Sequence, residues 1–138
     1  MRWLITNRTI QENGQFGGDM GTLSYCVLRD GGTSTSAADW LPVGSDDFRK
    51  KLVEVVQNTF PPVVKDGIPT PPDEQKHVCL FVHGYNNPWS DVMTRYEKVA
   101  TTLFDGPDGL GQCITFDWPS KGNLLLPLRS FRGAQDPH

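Results

Sequence analysis

The sequence lacks long apolar segments and has no large excess of charge of either sign. No apolar run approaches the ~20 residues that a helix needs to span a bilayer. The short apolar stretch at residues 1–6 gives way at once to polar residues, unlike a signal peptide. Lys and Arg number 13 against 16 Asp and Glu, a net charge of −3, so nucleic acid is not an expected partner. These absences predict a soluble, cytoplasmic protein with no membrane span.

Cysteine is also scarce. The chain holds three, Cys26, Cys79 and Cys113, and each falls within a predicted strand. A disulfide framework or a metal site needs cysteines that are paired and closer together, so we expect three buried, reduced thiols. His77 and His83 share one strand face, but no third ligand accompanies them. The sequence therefore predicts neither a metal site nor another cofactor.

The clearest local pattern begins with an apolar run at residues 78–82. A continuous run of this length predicts a strand that is buried on both faces, as in a parallel sheet. Gly84 then permits backbone geometry that other residues resist. Asn87 suits the N-cap of a following helix, and Pro88 suits its first helical position.

A helix and a second strand complete this unit. The helix is predicted over residues 89–104, and a turn cluster at 106–109 separates it from a strand over 112–117. Strand, helix and strand in this order predict a βαβ unit whose two strands are adjacent and parallel. The helix should pack on the sheet through one apolar stripe, made of Val92, Met93, Tyr96, Val99, Ala100 and Leu103.

The segments FVHGYNN and ITFDWPSKGN, on either side of this helix, resemble the front half of an α/β-hydrolase. The chain is most similar to an uncharacterised bacterial group of lipase- and esterase-like hydrolases, which carry an HGYN loop and a later WPS-x-G. The resemblance covers residues 78–125. It implies a partial α/β-hydrolase fold, a three-layer sandwich around a mostly parallel sheet, and hydrolysis of esters or related acyl bonds.

The N-terminal part of the chain predicts an antiparallel pair of strands and one helix. Residues 2–6 and 22–28 have the composition of strands, and the polar, glycine-rich residues 7–21 predict a long loop between them. A helix is expected to start at the N-cap Ser45 and to end before the prolines at 61–62. Its apolar stripe comprises Phe48, Leu52, Val55, Val56 and Phe60.

The length of 138 residues accommodates one domain and not two. Within it, residues 1–76 form a variable N-terminal part that ends in an exposed, proline-rich connector. Residues 77–125 hold the strand–helix–strand unit, and 126–138 form an irregular tail without periodicity. In the family, a helix should start near this tail and lead to the strand that bears the nucleophile. We therefore expect a truncated product or a fragment.

By the family's motif, the loop after the first strand of the unit supplies the oxyanion hole. The resemblance assigns that loop to His83, Gly84, Tyr85 and Asn86, with the main-chain N–H of Tyr85 as the donor. Such a hydrogen bond typically contributes ~3 kcal/mol to lowering the barrier. The alternative is a plain turn between strand and helix. In the family this histidine is structural, so His83 is not expected to be the catalytic base.

Asp117 ends the second strand and Trp118 follows it, at the carboxyl edge where parallel sheets usually bind ligands. Both are candidate pocket residues. Asp117 either orients polar groups of the loops or simply caps the next turn. The sequence leaves these two alternatives open.

The nucleophile is missing from the sequence, because no Gly-x-Ser-x-Gly occurs. The nearest segment, at residues 118–122, has Trp118 in place of the first glycine of that strained turn. Gly122 and Pro127 also disfavour the helix that must follow the serine. Ser120 is therefore predicted to be a loop serine, and we expect no catalytic nucleophile, acid or base in this chain.

Taken together, these features predict the N-terminal portion of a serine hydrolase. The complete protein would act on a small-molecule ester or acyl substrate, and this chain alone would be inactive. One alternative is a non-catalytic α/β binding domain, and another is a part completed by a second polypeptide. Without the nucleophile strand, the edge of the strand at 78–82 would be exposed, so the chain could self-associate there.

Overall fold

The computed structural model describes residues 1–84 and 87–119, with residues 18 and 19 described by their backbone only. The strands are β1 (Trp3–Ile10), β2 (Phe16–Leu28), β3 (Trp40–Val43), β4 (Val64–Lys65), β5 (Ile68–Pro69), β6 (His77–Val82) and β7 (Gly111–Asp117). The helices are α1 (Ser45–Thr59) and α2 (Trp89–Val99), and α2 continues as a π-helical turn over Ala100–Phe104. Short 3-10 turns occupy Ala37–Asp39 and Pro72–Glu74.

Five of the strands form one sheet, in the order β3-β2-β1-β7-β6. β1 pairs parallel with β7, and β7 pairs parallel with β6. β2 pairs antiparallel with both β1 and β3, so four of the five strands point in the same direction. The structure thus confirms a mostly parallel α/β sheet with an antiparallel pair at the N-terminus. β4 and β5 form a separate, exposed hairpin in the connector before β6.

The two helices cover opposite faces of the sheet, which gives the described part of the chain three layers. Neighbouring side chains of a strand point to opposite faces, and Trp3 accordingly packs toward α1 while Leu4 packs toward α2. The α2 face is the larger core, and its buried members include Leu4, Cys26, Trp40, Val92, Met93, Tyr96 and Cys113. Among the described residues, neither helix has the length and apolar character required to cross a bilayer.

The predicted βαβ unit is present, with one correction at the end of its helix. β6 and β7 are adjacent and parallel, with Val82 opposite Phe116, and α2 buries Val92, Met93 and Tyr96. Leu103 was expected in the buried stripe but is 50% exposed, whereas Phe104 is buried. The π-helical turn explains this difference. It is closed by the hydrogen bond from Asp105 N–H to Ala100 O at 2.9 Å, and its wider turn rotates the last side chains.

The expectation that β6 is buried on both faces is wrong. Cys79 and Phe81 are partly buried and pack against the α2 core, but on the other face Val78, Leu80 and Val82 are 43%, 57% and 54% exposed. The reason is that α1 packs over β1, β2 and β7 and does not extend over β6. In the part of the chain that the structure describes, β6 is also the end strand of the sheet.

The N-terminal pair is a longer hairpin than the sequence predicts. The residues expected to form a loop instead extend β1 and β2, and the connecting turn is confined to residues 11–15. Close contact between the strands accounts for the glycines there, because a Cβ on Gly17 would lie 2.6 Å from Thr9 Oγ1. Glycine content alone therefore misled the prediction.

Both predicted N-caps are displaced by one residue, and β3 was not predicted. Gly44 caps α1 in place of Ser45, and Pro88 caps α2 in place of Asn87, in each case without a side-chain hydrogen bond. A displacement of one residue is within the usual uncertainty of predicted and assigned helix boundaries. The three cysteines lie in strands as free thiols, and Cys79 is half-buried rather than buried.

Candidate functional site

The carboxyl ends of three parallel strands meet at one edge of the sheet. β1, β7 and β6 are neighbours that point in the same direction, and Thr6 on β1 lies opposite Asp117 on β7. His83 and Gly84 directly follow β6, and Trp118 directly follows β7. This edge therefore collects the sequence-predicted residues that the structure describes, at the position where α/β sheets usually bind ligands.

A buried arginine lies at the centre of this edge. Arg8, near the end of β1, is 4% exposed, and its Nε forms an ion pair with Asp117 Oδ2 at 2.7 Å. Its remaining N–H groups donate to three main-chain carbonyls, those of Trp118 at 3.1 Å, Asn87 at 3.3 Å and Gly17 at 3.4 Å. One guanidinium thus connects the hairpin of β1 and β2, the segment before α2 and the segment after β7.

The carboxylate of Asp117, at the end of β7, is fully buried. Besides the ion pair, its Oδ2 accepts a hydrogen bond from Thr6 Oγ1 at 3.3 Å. Its Oδ1 lies 3.4 Å from His83 Nε2 and has no hydrogen-bond partner within the described residues. A charge buried this deeply is stabilised only by its partners, so Arg8 and Asp117 depend on each other.

His83 joins the segment after β6 to the segment after β7. Its Nδ1 lies 2.7 Å from Gly84 O, and its Nε2 lies 3.0 Å from Trp118 O and 3.1 Å from Trp118 N. Trp118 Nε1 donates to His83 O at 3.3 Å. The two rings also stack, with centroids 5.1 Å apart. These contacts bury the imidazole and occupy its nitrogens, which suits a structural histidine better than a catalytic base.

Gly84 is exposed at the surface of this edge, and none of the described residues around it requires a glycine there. Its backbone is outside the left-handed region, and among the described residues an added Cβ would meet only Asn87 Nδ2, at an ordinary 3.5 Å. The expectation that Gly84 serves the geometry of the turn is therefore not supported. Asn87, expected as an N-cap, instead uses Nδ2 to donate to Gly84 O at 2.8 Å, which closes the segment on itself.

Tyr85, Asn86 and Ser120 lie outside the described residues.

A cavity of about 590 Å³ opens at the opposite edge of the sheet, where Arg2, Lys76 and Gly111 are among its lining residues. Its cations are already engaged, Arg2 with two carboxylates and Lys76 Nζ with Pro107 O at 2.6 Å. We therefore place the candidate site at the carboxyl edge, beside Asp117 and Trp118.

Sequence reasoning missed Arg8 and Thr6. A signal was available, because continuing the predicted strand beyond residue 6 puts Leu4, Thr6 and Arg8 on one face at a spacing of two. An arginine on the core side of a strand is almost never buried without a partner. That pattern predicts a buried acid in the neighbouring strand, and Asp117 is that acid.

Comparison with known proteins gives one match. Residues 65–127 match the sequence model of a family described as "Alpha/beta hydrolase of unknown function (DUF900)". No curated protein and no solved structure is significantly similar to the chain. The matched residues include β6, α2 and β7 and make up a little under half of the chain. Over this segment, the match confirms the resemblance to the α/β-hydrolases.

Proposed function

We propose that this chain supplies the oxyanion-loop side of a serine hydrolase that acts on small-molecule esters or related acyl substrates. In this proposal the loop is His83, Gly84, Tyr85 and Asn86, and the N–H of Tyr85 is the donor to the developing oxyanion. The nucleophile, acid and base come from polypeptide other than these 138 residues, because no Gly-x-Ser-x-Gly occurs in them.

The observation that carries this proposal is the position of Gly84. It is exposed at the carboxyl end of β6, inside the segment that matches the α/β-hydrolase family. Neither its backbone conformation nor its contacts with the described residues call for a glycine. A residue without a side chain at this point lets a substrate approach the main chain closely, which an oxyanion hole requires.

The first test is to read the DNA that follows codon 138 in all three frames. A strand pattern followed by Gly-x-Ser-x-Gly within ~100 codons is the arrangement that the proposal requires. The chain as given should neither hydrolyse p-nitrophenyl esters above a Ser120→Ala control nor react with a fluorophosphonate. Stoichiometric labelling at Ser120 would contradict the assignment of the nucleophile to other polypeptide.

The second test addresses the donor in a hydrolytically active, extended chain. Tyr85→Pro removes the main-chain N–H, whereas Tyr85→Ala retains it. Loss of one oxyanion donor typically lowers kcat by about 10²–10³-fold, so the proline variant should fall by about that factor and the alanine variant by much less. Equal losses in both variants would show that the side chain, and not the N–H, matters.

A second function is favoured by β6, which is the end strand of the sheet among the described residues and suits a part that is completed by strand addition. Val78, Leu80 and Val82 are all about half exposed, and β6 carries no lysine or proline to blunt its edge. A further strand, from a second polypeptide or a second copy, would pair with the edge of β6. A non-catalytic binding domain would use the same edge, but it would show no hydrolysis after any extension of the chain.

A further inference from the structure

We infer that Arg8 is a positioning residue, which fixes the main chain at Asn87 relative to the main chain at Trp118. The inference rests on the proposed function, because Asn87 directly follows the segment assigned to the oxyanion loop and Trp118 contacts His83 at the start of that segment. Nothing in the family match points to Arg8, which lies outside the matched residues 65–127.

The guanidinium of Arg8 is planar and presents its N–H donors in fixed directions. Arg8 uses Nε for Asp117, Nη1 for Gly17 O, and Nη2 for the carbonyls of Asn87 and Trp118. A planar fork presents these donors in fixed directions, whereas a lysine presents one point charge on a flexible stem. The contacts to Asn87 and Trp118 therefore share one rigid group and cannot move independently.

The guanidinium of Arg8 is held in place by the sheet and by Asp117. β1 lies between β2 and β7, and Arg8 pairs with Met20 of β2, two residues beyond Thr6, where the pairing of β1 with β7 ends. The Asp117 carboxylate anchors the guanidinium at 2.7 Å, and both side chains are nearly inaccessible to solvent, at 4% and 0% exposed. Arg8 thus connects the sheet to Asn87 and Trp118, neither of which lies in a helix or a strand.

The position of the main chain at this edge matters for catalysis in the proposed hydrolase. Oxyanion donors act through preorganisation, and a displacement of about 1 Å can cost ~10²-fold in rate. Among the described residues, the guanidinium of Arg8 contacts the carboxylate of Asp117 and main-chain carbonyls, so it acts through the main chain of Asn87 and Trp118. Its loss should disturb the loop geometry and leave the pairing of β6 with β7 intact.

The test compares Arg8→Lys with the matched control Arg29→Lys, whose arginine pairs with Asp39 at the surface. Amide hydrogen exchange is measured at Asn87 and Trp118 and, as an internal reference, at Cys113 and Ile114 in β7. In Arg8→Lys we expect exchange at Asn87 and Trp118 to accelerate by about tenfold or more relative to the reference amides. Uniform acceleration of all four amides, or no change, would show a merely structural ion pair and overturn the inference.

A measurement on the unmodified chain covers the case in which Arg8→Lys does not fold. Four contacts should stop rotation of the guanidinium, so NMR should resolve separate, slowly exchanging Nη protons of Arg8 next to Asn87 and Trp118. Averaged Nη signals would overturn the inference. Neither measurement involves a substrate. A failure of the positioning role of Arg8 can therefore be distinguished from a failure of the hydrolase proposal. In an active extended chain, Arg8→Lys should lower kcat by about 10–100-fold with little change in KM.

Discussion

The hydroxyl of Tyr96 donates a hydrogen bond to the carbonyl oxygen of Cys113 at 2.6 Å, so α2 is attached directly to the backbone of β7. The same hydroxyl accepts the main-chain N–H of Trp3 at 3.0 Å, which adds β1 to the connection. Tyr96 is fully buried, and burial raises the pKa of its phenol well above the ordinary value. The hydroxyl therefore stays protonated, and able to donate, wherever the protein is folded.

Removal of this hydroxyl should destabilise the fold without emptying the core. Tyr96→Phe leaves the N–H of Trp3 and the carbonyl of Cys113 buried without this partner, which costs about 1–3 kcal/mol in the free energy of unfolding. Urea denaturation followed by circular dichroism measures the change. Tyr25→Phe, on the α1 face, is the matched control and should change stability by less than about 0.5 kcal/mol. Equal effects of the two variants would contradict the role of the Tyr96 hydroxyl.

Arg2 should make stability depend on acidic pH. Its guanidinium hydrogen-bonds Glu97 and Asp105, at 2.9 and 2.7 Å, and lowers the pKa of both carboxyls in the folded protein. A lowered folded-state pKa stabilises the protein above the unfolded-state pKa, and that stabilisation is lost as the pH falls through the folded-state value. We expect the Tm to fall between about pH 6 and about pH 3.

The variant Arg2→Gln tests this assignment. It should have a lower Tm than the unmodified protein at neutral pH and a smaller further decrease in acid. Arg49→Gln is the control, because Arg49 and Asp46 form an exposed pair at 3.7 Å, and such pairs contribute little. If Arg2→Gln retained the full acid dependence, other carboxylates would have to be its source.

The cysteines should differ in reactivity between the folded and unfolded states. Burial raises the pKa of Cys26 and of Cys113 to about 11. At pH 8 only about one such thiol in a thousand is ionised, and the thiolate is the reactive form. An aromatic disulfide reagent should therefore modify the half-buried Cys79 first, with the other two reacting fully only in guanidinium chloride. Rapid native modification of Cys113 would mean that β7 is accessible.

The exposed apolar face of β6, formed by Val78, Leu80 and Val82, should control self-association. If a second copy packs on β6, the purified chain should elute as a dimer or larger species in size-exclusion chromatography with light scattering. Leu80→Lys places a charge on the face and should shift the population toward monomer. Leu41→Lys is the matched control on β3, at the opposite end of the sheet, where Leu41 is 45% exposed. If the chain is a monomer that melts cooperatively above about 60 °C, the edge of β6 does not need a further strand for stability.

Local patterns in the sequence were sufficient for the unit formed by β6, α2 and β7. The apolar run before His83, the helical spacing from Val92 to Tyr96, and the turn before β7 each act over a few residues. Because a βαβ connection restricts the pairing to one arrangement, the sequence also predicted that Asp117 lies at the carboxyl end of the strand beside β6. The family match over residues 65–127 covers this same part of the chain.

Tertiary structure alone decided what surrounds that unit. β1 inserts between β2 and β7, which brings Arg8 to an acid 109 positions further along the chain. α1 covers β7 but leaves Leu80 exposed, although the two strands have similar apolar sequences. Local composition specifies that a side chain needs burial or a partner, but not which distant element provides it. The buried pair of Arg8 and Asp117 therefore arises from sheet order, which the sequence determines only through the complete fold.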